Sequence, residues 1–173
     1  MKLMTQSSAL ALWQDVIKQA ERQCHISLKT ELESYLVSLL MRYINKPELV
    51  KQIIATAFLE AISNRHHERF ALQNVGDQCL IYAGLFPKTA EKHLVKISYF
   101  VDMGQGAYGK ISQCANDIYS LLAAQFVALM DILQSIRCDT LLPLEAYEQW
   151  EQVGSQRALR ILQSYTQGEP FKK

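Results

Sequence analysis

The chain has 173 residues, of which 49% are hydrophobic and 20% are charged. This size and composition are typical of a globular protein and exclude a disordered or fibrous chain. The 18 basic and 17 acidic side chains leave a formal net charge of +1. The chain as a whole therefore has no strong field to attract nucleic acid or anionic lipid.

The N-terminal region lacks the pattern of a secretory signal. Lys2 is its one early positive charge, and the apolar run 9–13 is short and followed by Gln14 and Asp15. No stretch reaches the roughly 18 uninterrupted apolar residues that a membrane span needs. The four cysteines form no C-x-x-C pair and are scattered: Cys24, Cys79, Cys114 and Cys138. This pattern predicts reduced, buried thiols in a cytoplasmic protein without a membrane span.

The first third of the chain carries apolar side chains at helical spacing. A first helix is predicted over 13–24, and a second follows with Ser27 as its cap. The second helix has the most regular apolar stripe: Leu28, Leu32, Tyr35, Leu36, Leu39, Leu40 and Tyr43. A third helix is predicted from Pro47, whose missing N–H costs nothing in a first helical turn, with an apolar stripe over 49–62.

Helical spacing continues through the centre of the chain. A helix is predicted over 70–84, and another from Lys88 or Thr89 through Val101. The segment 79–86 competes as a short buried strand, but the sequence offers no second strand to pair with it. We therefore predict a helix there as well.

The last third of the chain is the most apolar. One long helix is predicted over 118–136, and two short helices over 144–162 with a turn at 154–155. The sequence therefore predicts an all-α fold. Six to eight helices, packed orthogonally or as a bundle, form a single domain over 1–166, and the tail 167–173 frays.

Gly104, Gly106 and Gly109 satisfy the dinucleotide-binding pattern G-x-G-x-x-G. That site needs a preceding strand and an acid about 20 residues further on, whereas here a helical run precedes and Asp117 follows Gly109 by eight residues. No cofactor is therefore predicted. We interpret these glycines, and Gly76 within the preceding helix, as small residues that let two helices approach closely or that mark a bend.

Asp77 and Asp102 are acids among apolar and aromatic neighbours. A carboxylate withdrawn from water is paired or hydrogen-bonded, or its pKa rises. Two interpretations stay open. Each acid hydrogen-bonds a tyrosine or a helix N-terminus inside the fold, or simply faces solvent. Alternatively, both acids line a ligand-binding pocket together with Tyr82, His93 and Tyr108.

The sequence contains no catalytic or metal-binding signature. His66, His67 and Glu68 are consecutive, so their side chains point in different directions, and neither H-E-x-x-H nor paired E-x-x-H occurs. No nucleophile elbow and no P-loop is present. We predict no metal, and the sequence favours a protein that is not an enzyme.

Lys88, Lys92 and Lys96 fall at a spacing of four and share one face of a predicted helix. Glu91 dilutes this stripe, so a solvated face is the default interpretation and nucleic-acid binding is the alternative. Several helices also carry wide apolar stripes with aromatic residues. Such stripes predict that leftover apolar surface is buried against a second copy of the chain or a protein partner.

Short motifs in the centre of the chain resemble a family of small all-helical proteins of proteobacterial type. They are Val75-Gly76-Asp77, Ala83-Gly84-Leu85-Phe86-Pro87, and Tyr99 through Gly104 to Ala107-Tyr108. The segments Tyr147-x-x-Trp150 and Gly154-Ser155-x-x-Ala158 are similar to the C-terminal helices of that family, and the resemblance extends over 27–165. It implies an all-α fold and a cytoplasmic location, and it carries no activity.

The function that these features predict is that of a non-enzymatic helical interaction or regulatory module that forms a homodimer or binds a protein partner. The first alternative is a small-ligand-binding or enzymatic helical bundle with a pocket around Asp77 and Asp102. The second alternative is a weak nucleic-acid binder.

Overall fold

The computed structural model describes residues 6–45, 63, 68–88, 95–137 and 140–166. These residues form eight α-helices and no strand, which confirms the predicted all-α fold class. The helices are α1 (Gln6–Cys24), α2 (Thr30–Asn45), α3 (Glu68–Leu85), α4 (Ile97–Ile111), α5 (Ile118–Ala124), α6 (Phe126–Ile136), α7 (Pro143–Val153) and α8 (Gln156–Thr166). Several predictions lie outside the described residues: the helix from Pro47, the roles of His66, His67, Lys92 and His93, and the tail 167–173.

The apolar stripe of α2 lies in the core, as predicted. Its central leucines are at most 1% exposed: Leu32, Leu36, Leu39 and Leu40. Ser34 and Ser38 are exposed on the other side of the helix. Glu31 and Glu33 stand in the first turn, where negative charge favours the helix N-terminus. α2 packs against α1 and α5 and so closes one side of the core.

α3 lies at the centre of the fold, between α4 and α6. All its residues from Val75 to Gly84 are buried except the half-buried Tyr82, so this part of the helix has no solvent face. The segment 79–86 is helical through Leu85, which confirms that it is not a strand.

Three glycines lie where helices touch. A β-carbon there would lie within 2.6 Å of a side chain on the facing helix: Gly76 against Tyr108, Gly84 against Leu133 and Gly104 against Phe126. The predicted role in close helix approach is therefore confirmed for Gly76 and Gly104. It is wrong for Gly106 and Gly109, which face open space on α4 and mark no bend, because α4 continues to Ile111.

The single helix predicted over 118–136 is wrong, because the structure has two helices there. α5 and α6 meet at Gln125, whose φ of −106° and ψ of 19° lie outside the helical region, and their axes differ by 72°. The bend directs both Leu122 and Phe126 into the core. Within the described residues, no single helix has the length and hydropathy to cross a membrane; α5 and α6 meet that test only as a bent pair.

Asp117 caps the N-terminus of α5. Its carboxylate accepts the backbone N–H of Ser120 and of Gln113, each at 2.7 Å, and the hydroxyl of Ser112 at 3.1 Å. These hydrogen bonds, the one from Ser120 foremost, lower the pKa of Asp117 to about 2.

Cys114 lies in the same loop, which faces solvent, and its side chain is exposed. The prediction that the cysteines are buried is therefore wrong for Cys114.

α7 and α8 form a helical pair at the end of the chain, as predicted. Pro143 occupies the first position of α7, and Glu145 accepts the backbone N–H of Leu142 at 2.9 Å. Gly154, with a φ of 72°, ends α7 in the left-handed conformation that glycine favours. We call residues 141–166 the C-terminal hairpin. It has its own small apolar cluster of Leu141, Ala146, Ala158, Ile161 and Leu162.

Candidate functional site

Asp77 on α3 is fully buried and lies at the centre of a hydrogen-bond network between helices. Its Oδ1 accepts the hydroxyls of Tyr35 on α2 and Tyr108 on α4, both at 2.6 Å. Its Oδ2 accepts the guanidinium of Arg42 on α2 at 3.1 Å. Arg42 follows Tyr35 by two helical turns, so both residues reach the same side of α3. We call this arrangement the Asp77 network.

The network extends along α3 to α5. Gln73 donates from Nε2 to the Tyr35 hydroxyl at 3.2 Å, and its Oε1 accepts the Tyr119 hydroxyl at 3.2 Å. Arg69 lies over the ring of Tyr119, with 5.4 Å between the guanidinium carbon and the ring centroid. The α3 residues of this row are spaced by four, so they follow one face of the helix. A polar row therefore connects α2, α4 and α5 across α3.

Tyr108 is held in place by its apolar surroundings. The ring lies against the backbone of Gly76, where a β-carbon would come within 2.6 Å of Tyr108 Cε1. It also meets the ring of Tyr35 edge-on at 6.4 Å and the ring of Phe126 at 6.1 Å between centroids. Glycine at position 76 therefore makes room for the ring that brings a hydroxyl to Asp77.

Burial governs the protonation equilibria of the network. It raises the pKa of Asp77, while the hydroxyls of Tyr108 and Tyr35 and the Arg42 guanidinium oppose this rise. Burial also raises the pKa of Tyr108 and of Tyr35, and the nearby carboxylate raises both further. Both tyrosines therefore keep their protons at neutral pH and act as hydrogen-bond donors. The arrangement satisfies a buried acid with donors from the protein itself.

The structure separates the two acids that the sequence singled out. Asp77 is buried beside Tyr108, whereas Asp102 is exposed on α4. This geometry matches the first of the two interpretations, in which one acid binds tyrosines inside the fold and the other faces solvent. The two acids do not share a cavity.

The other predicted site residues do not join the Asp77 network in the described part of the chain. Tyr82 is half-buried and stacks on Phe100, with 5.4 Å between ring centroids and 13° between ring planes. His93 lies outside the described residues. A ligand-binding role for Asp77, Tyr82, His93, Asp102 and Tyr108 stays a prediction.

Tyr35, Arg42, Gln73 and Tyr119 belong to the network, yet no sequence pattern marks them as site residues. A signal is present for two of them, because Arg42 lies seven residues after Tyr35 and shares its side of a helix. Nothing in the local sequence shows that this side faces Asp77.

A second buried acid, Asp131 on α6, is also absent from the predicted site. Its Oδ1 accepts the hydroxyl of Ser155 at 2.5 Å, and its Oδ2 accepts the backbone N–H of Arg157 at 3.2 Å. Ser155 in turn accepts the N–H of Ala158 at 3.0 Å. Burial raises the pKa of Asp131, and these hydrogen bonds oppose the rise. Asp131 therefore caps the N-terminus of α8 from a different helix.

Two openings lie beside the C-terminal hairpin. One of about 20 Å³ is bordered by Gly84, Gln134 and Gln149. The other, of about 310 Å³, lies between α7 and the two residues that precede α4, Val95 and Lys96. Neither is lined by Asp77. Within the described part of the chain, no three His, Cys, Asp or Glu side chains are grouped closely enough to hold a metal ion.

No protein-family model, curated protein or solved structure matches this chain. The resemblance to small all-helical proteobacterial proteins therefore stays a prediction. The observations that bear on function are those of the structure itself: the Asp77 network, the cap at Asp131 and the surface of the C-terminal hairpin.

Asp77→Asn is expected to change how stability depends on pH. The pKa of Asp77 is higher in the folded chain than its value of about 4 in the unfolded chain. At a pH between the unfolded and the folded pKa, the chain therefore takes up a proton when it folds. The resulting stabilisation is fully present below about pH 4 and is lost as pH rises through the folded pKa. Between about pH 4 and neutral pH, the wild type should therefore lose more free energy of unfolding than Asp77→Asn does, as measured by urea unfolding.

The matched control is Asp102→Asn, which removes an exposed acid from α4. Its unfolding curves should follow those of the wild type, because the Asp102 side chain is exposed and takes no part in the Asp77 network. Parallel profiles for Asp77→Asn and the wild type would contradict the expected contribution of Asp77.

Proposed function

We propose that the chain is a non-enzymatic helical interaction module that forms a homodimer through α7. The observation that carries this proposal is a group of large apolar side chains on the outer side of the helix. Their exposed fractions are 68% for Leu144, 42% for Tyr147 and 38% for Trp150. We call these three residues the α7 surface.

The α7 surface is a contiguous patch. Tyr147 and Trp150 are in ring contact, with 6.1 Å between centroids and 66° between planes, and Leu144 precedes Tyr147 by one turn. The opposite side of α7 is already used, since Ala146 and Gln149 are buried. Contiguous apolar patches rich in aromatic residues are typical of protein interfaces.

The charges around this patch favour a second copy of the chain as the partner. α7 carries Glu145, Glu148 and Glu151 and no basic residue, whereas α8 carries Arg157 and Arg160 and no acid. In a two-fold symmetric dimer, each contact occurs twice with the roles exchanged. Such a dimer can place α7 of each copy beside α8 of the other, so that helices of opposite net charge face each other. Within their own chain the two arginines also donate to Gln134 and to the Cys24 carbonyl. With a net charge of +1, two copies also repel each other little at long range.

The remaining observations suit the other candidates less well. Both carboxylate oxygens of Asp77 are occupied by Tyr35, Tyr108 and Arg42, which leaves that acid engaged within the fold instead of offered to a ligand. For nucleic acid, Lys88 and Lys96 are exposed, but lone surface lysines are usually solvated.

We further propose a cytoplasmic location for the dimer, because unpaired buried thiols are typical of a reducing compartment.

Sedimentation velocity over a wide concentration range tests this proposal. The wild type is expected to sediment as a dimer of 19.8 kDa chains. Leu144→Ser combined with Tyr147→Ser should weaken dimerisation by about tenfold or more, because central apolar contacts dominate interface affinity. The variant should keep its helical circular dichroism, since both side chains are exposed.

Phe70→Ser is the matched control, since Phe70 is 66% exposed but lies on α3, away from the α7 surface. It should leave the dimer intact. A wild type that is monomeric at every concentration would overturn the proposal. Equal weakening by Phe70→Ser and by the α7 variant would show that the α7 surface is not the interface.

A further inference from the structure

We infer that the C-terminal hairpin opens as one unit while the helices from α1 to α6 stay folded, and that Asp131 is its main anchor to them. Domains open locally in cooperative segments, and the segments that open first bury little apolar surface against the remainder. This inference concerns the attachment of the hairpin and does not depend on the proposed dimer.

The apolar contacts of the hairpin are mostly internal. Five of its side chains form a cluster with one another: Leu141, Ala146, Ala158, Ile161 and Leu162. Among the described hairpin residues, Val153 is the one apolar side chain that packs against the main core. Undocking the hairpin therefore exposes little apolar surface, while its own cluster can stay buried.

Polar contacts supply much of the attachment. Asp131 accepts the Ser155 hydroxyl and the Arg157 backbone N–H, and Gln134 Oε1 accepts the Arg157 guanidinium at 3.2 Å. The Arg160 guanidinium donates to the main-chain carbonyl of Cys24. When the hairpin opens, water can form hydrogen bonds with the groups that lose their protein partners, and this offsets much of the lost stabilisation. Buried apolar contacts gain no such replacement when they are exposed to water.

The seam between the hairpin and the other helices is also loosely packed. The openings of about 20 Å³ and about 310 Å³ both lie along it. Gln149 lines both openings and is 6% exposed, and its Oε1 has no hydrogen-bond partner among the described residues. An acceptor left in this way gains a partner when water reaches it, which favours the open state.

Hydrogen exchange followed by mass spectrometry tests this inference on the full-length chain. In the wild type, peptides from 141–166 should exchange at least about tenfold faster than peptides from α3 and α6, whose buried helices open with the whole molecule. The same measurement on the Leu144→Ser/Tyr147→Ser variant should give the same order of exchange. The result then stands whether or not the chain forms a dimer.

Asp131→Asn should accelerate exchange in 141–166 by a further factor of about ten, because it removes a charged acceptor from the cap of α8. Peptides from α1 to α4 should keep their wild-type rates. Ser155→Ala, which keeps the carboxylate, should act on the same segment and replaces Asp131→Asn if that variant fails to fold. Asp77→Asn is the control, since it should accelerate exchange in α3 and in the other helices that open with the whole molecule, and leave 141–166 at the wild-type rate.

Two results would overturn the inference. One is exchange of the hairpin at the same rate as α3 and α6 in the wild type. The other is equal acceleration of all peptides by Asp131→Asn or by Ser155→Ala, which would show that the hairpin unfolds together with the other helices.

Discussion

Leu36→Asp is expected to unfold the protein at room temperature. Leu36 is 1% exposed in the middle of the buried stripe of α2. Aspartate there would bury a carboxylate without a partner, which costs several kcal/mol, on the order of the whole stability of a small domain. Far-UV circular dichroism should lose the helical signal, and thermal melting should lose its cooperative transition.

Ser38→Asp is the matched control, because it places the same charge on the exposed side of the same helix. It should keep the helical signal, with a melting temperature within a few degrees of the wild type. A helical Leu36→Asp variant with an unchanged melting temperature would show that the assignment of the buried face of α2 is wrong.

Gly104→Ala is expected to lower the free energy of unfolding by about 1–3 kcal/mol, the usual cost of overpacking a core. The new β-carbon would stand 2.4 Å from Phe126 Cε2 and 3.0 Å from Cys79 Cβ. Phe126 is fully buried between helices and cannot move its ring without disturbing other contacts. Urea unfolding should therefore show a lower midpoint for this variant.

Gly106→Ala provides a control on the same helix. No atom lies within 4 Å of a β-carbon at this position. Alanine favours the helix over glycine by about 0.5–1 kcal/mol, so this variant should be more stable than the wild type. Shifts of the same sign for both variants would contradict the close contact between α4 and α6.

Local patterns were enough to predict several elements. The stripe of α2 depends on the spacing of its own leucines, and its centre around Leu36 is buried as predicted. The two helices of the C-terminal hairpin follow from Pro143 and Gly154, whose backbone preferences act at those positions alone. Predictions of this kind succeed because the determining interactions lie within a few residues of one another.

Features set by the packing of separate helices could not be predicted in this way. The apolar pattern over 118–136 is compatible with one straight helix, and the bend at Gln125 follows from where the core lies. Gly104 and Gly106 belong to the same sequence motif, yet one meets a phenylalanine and the other meets open space. The sequence near these glycines does not show which side of α4 faces α6.

The same limit applies to the candidate site. Asp77 and Asp102 both stand among apolar residues, but one lies inside the fold and the other on its surface. The partners of Asp77 come from helices far along the chain, and Tyr35 looks like one more member of an apolar stripe. Their convergence depends on the rotation of α2 and α4 about their axes, which no local pattern records.

The hydrogen bonds of the Asp77 network have a consequence for the order of events during synthesis. Asp77 binds Tyr35, which lies 42 positions away in the sequence, and Arg42, which lies 35 positions away. Its third partner, Tyr108, lies 31 positions away. When α2 and α3 have left the ribosome and α4 has not, Tyr35 and Arg42 are present and Tyr108 is missing, so water has to take the place of the Tyr108 hydroxyl on Asp77 until the later helix emerges. A charged, hydrated group on the face of α3 that later becomes interior opposes early collapse of the partial chain, and the native arrangement is completed only afterwards.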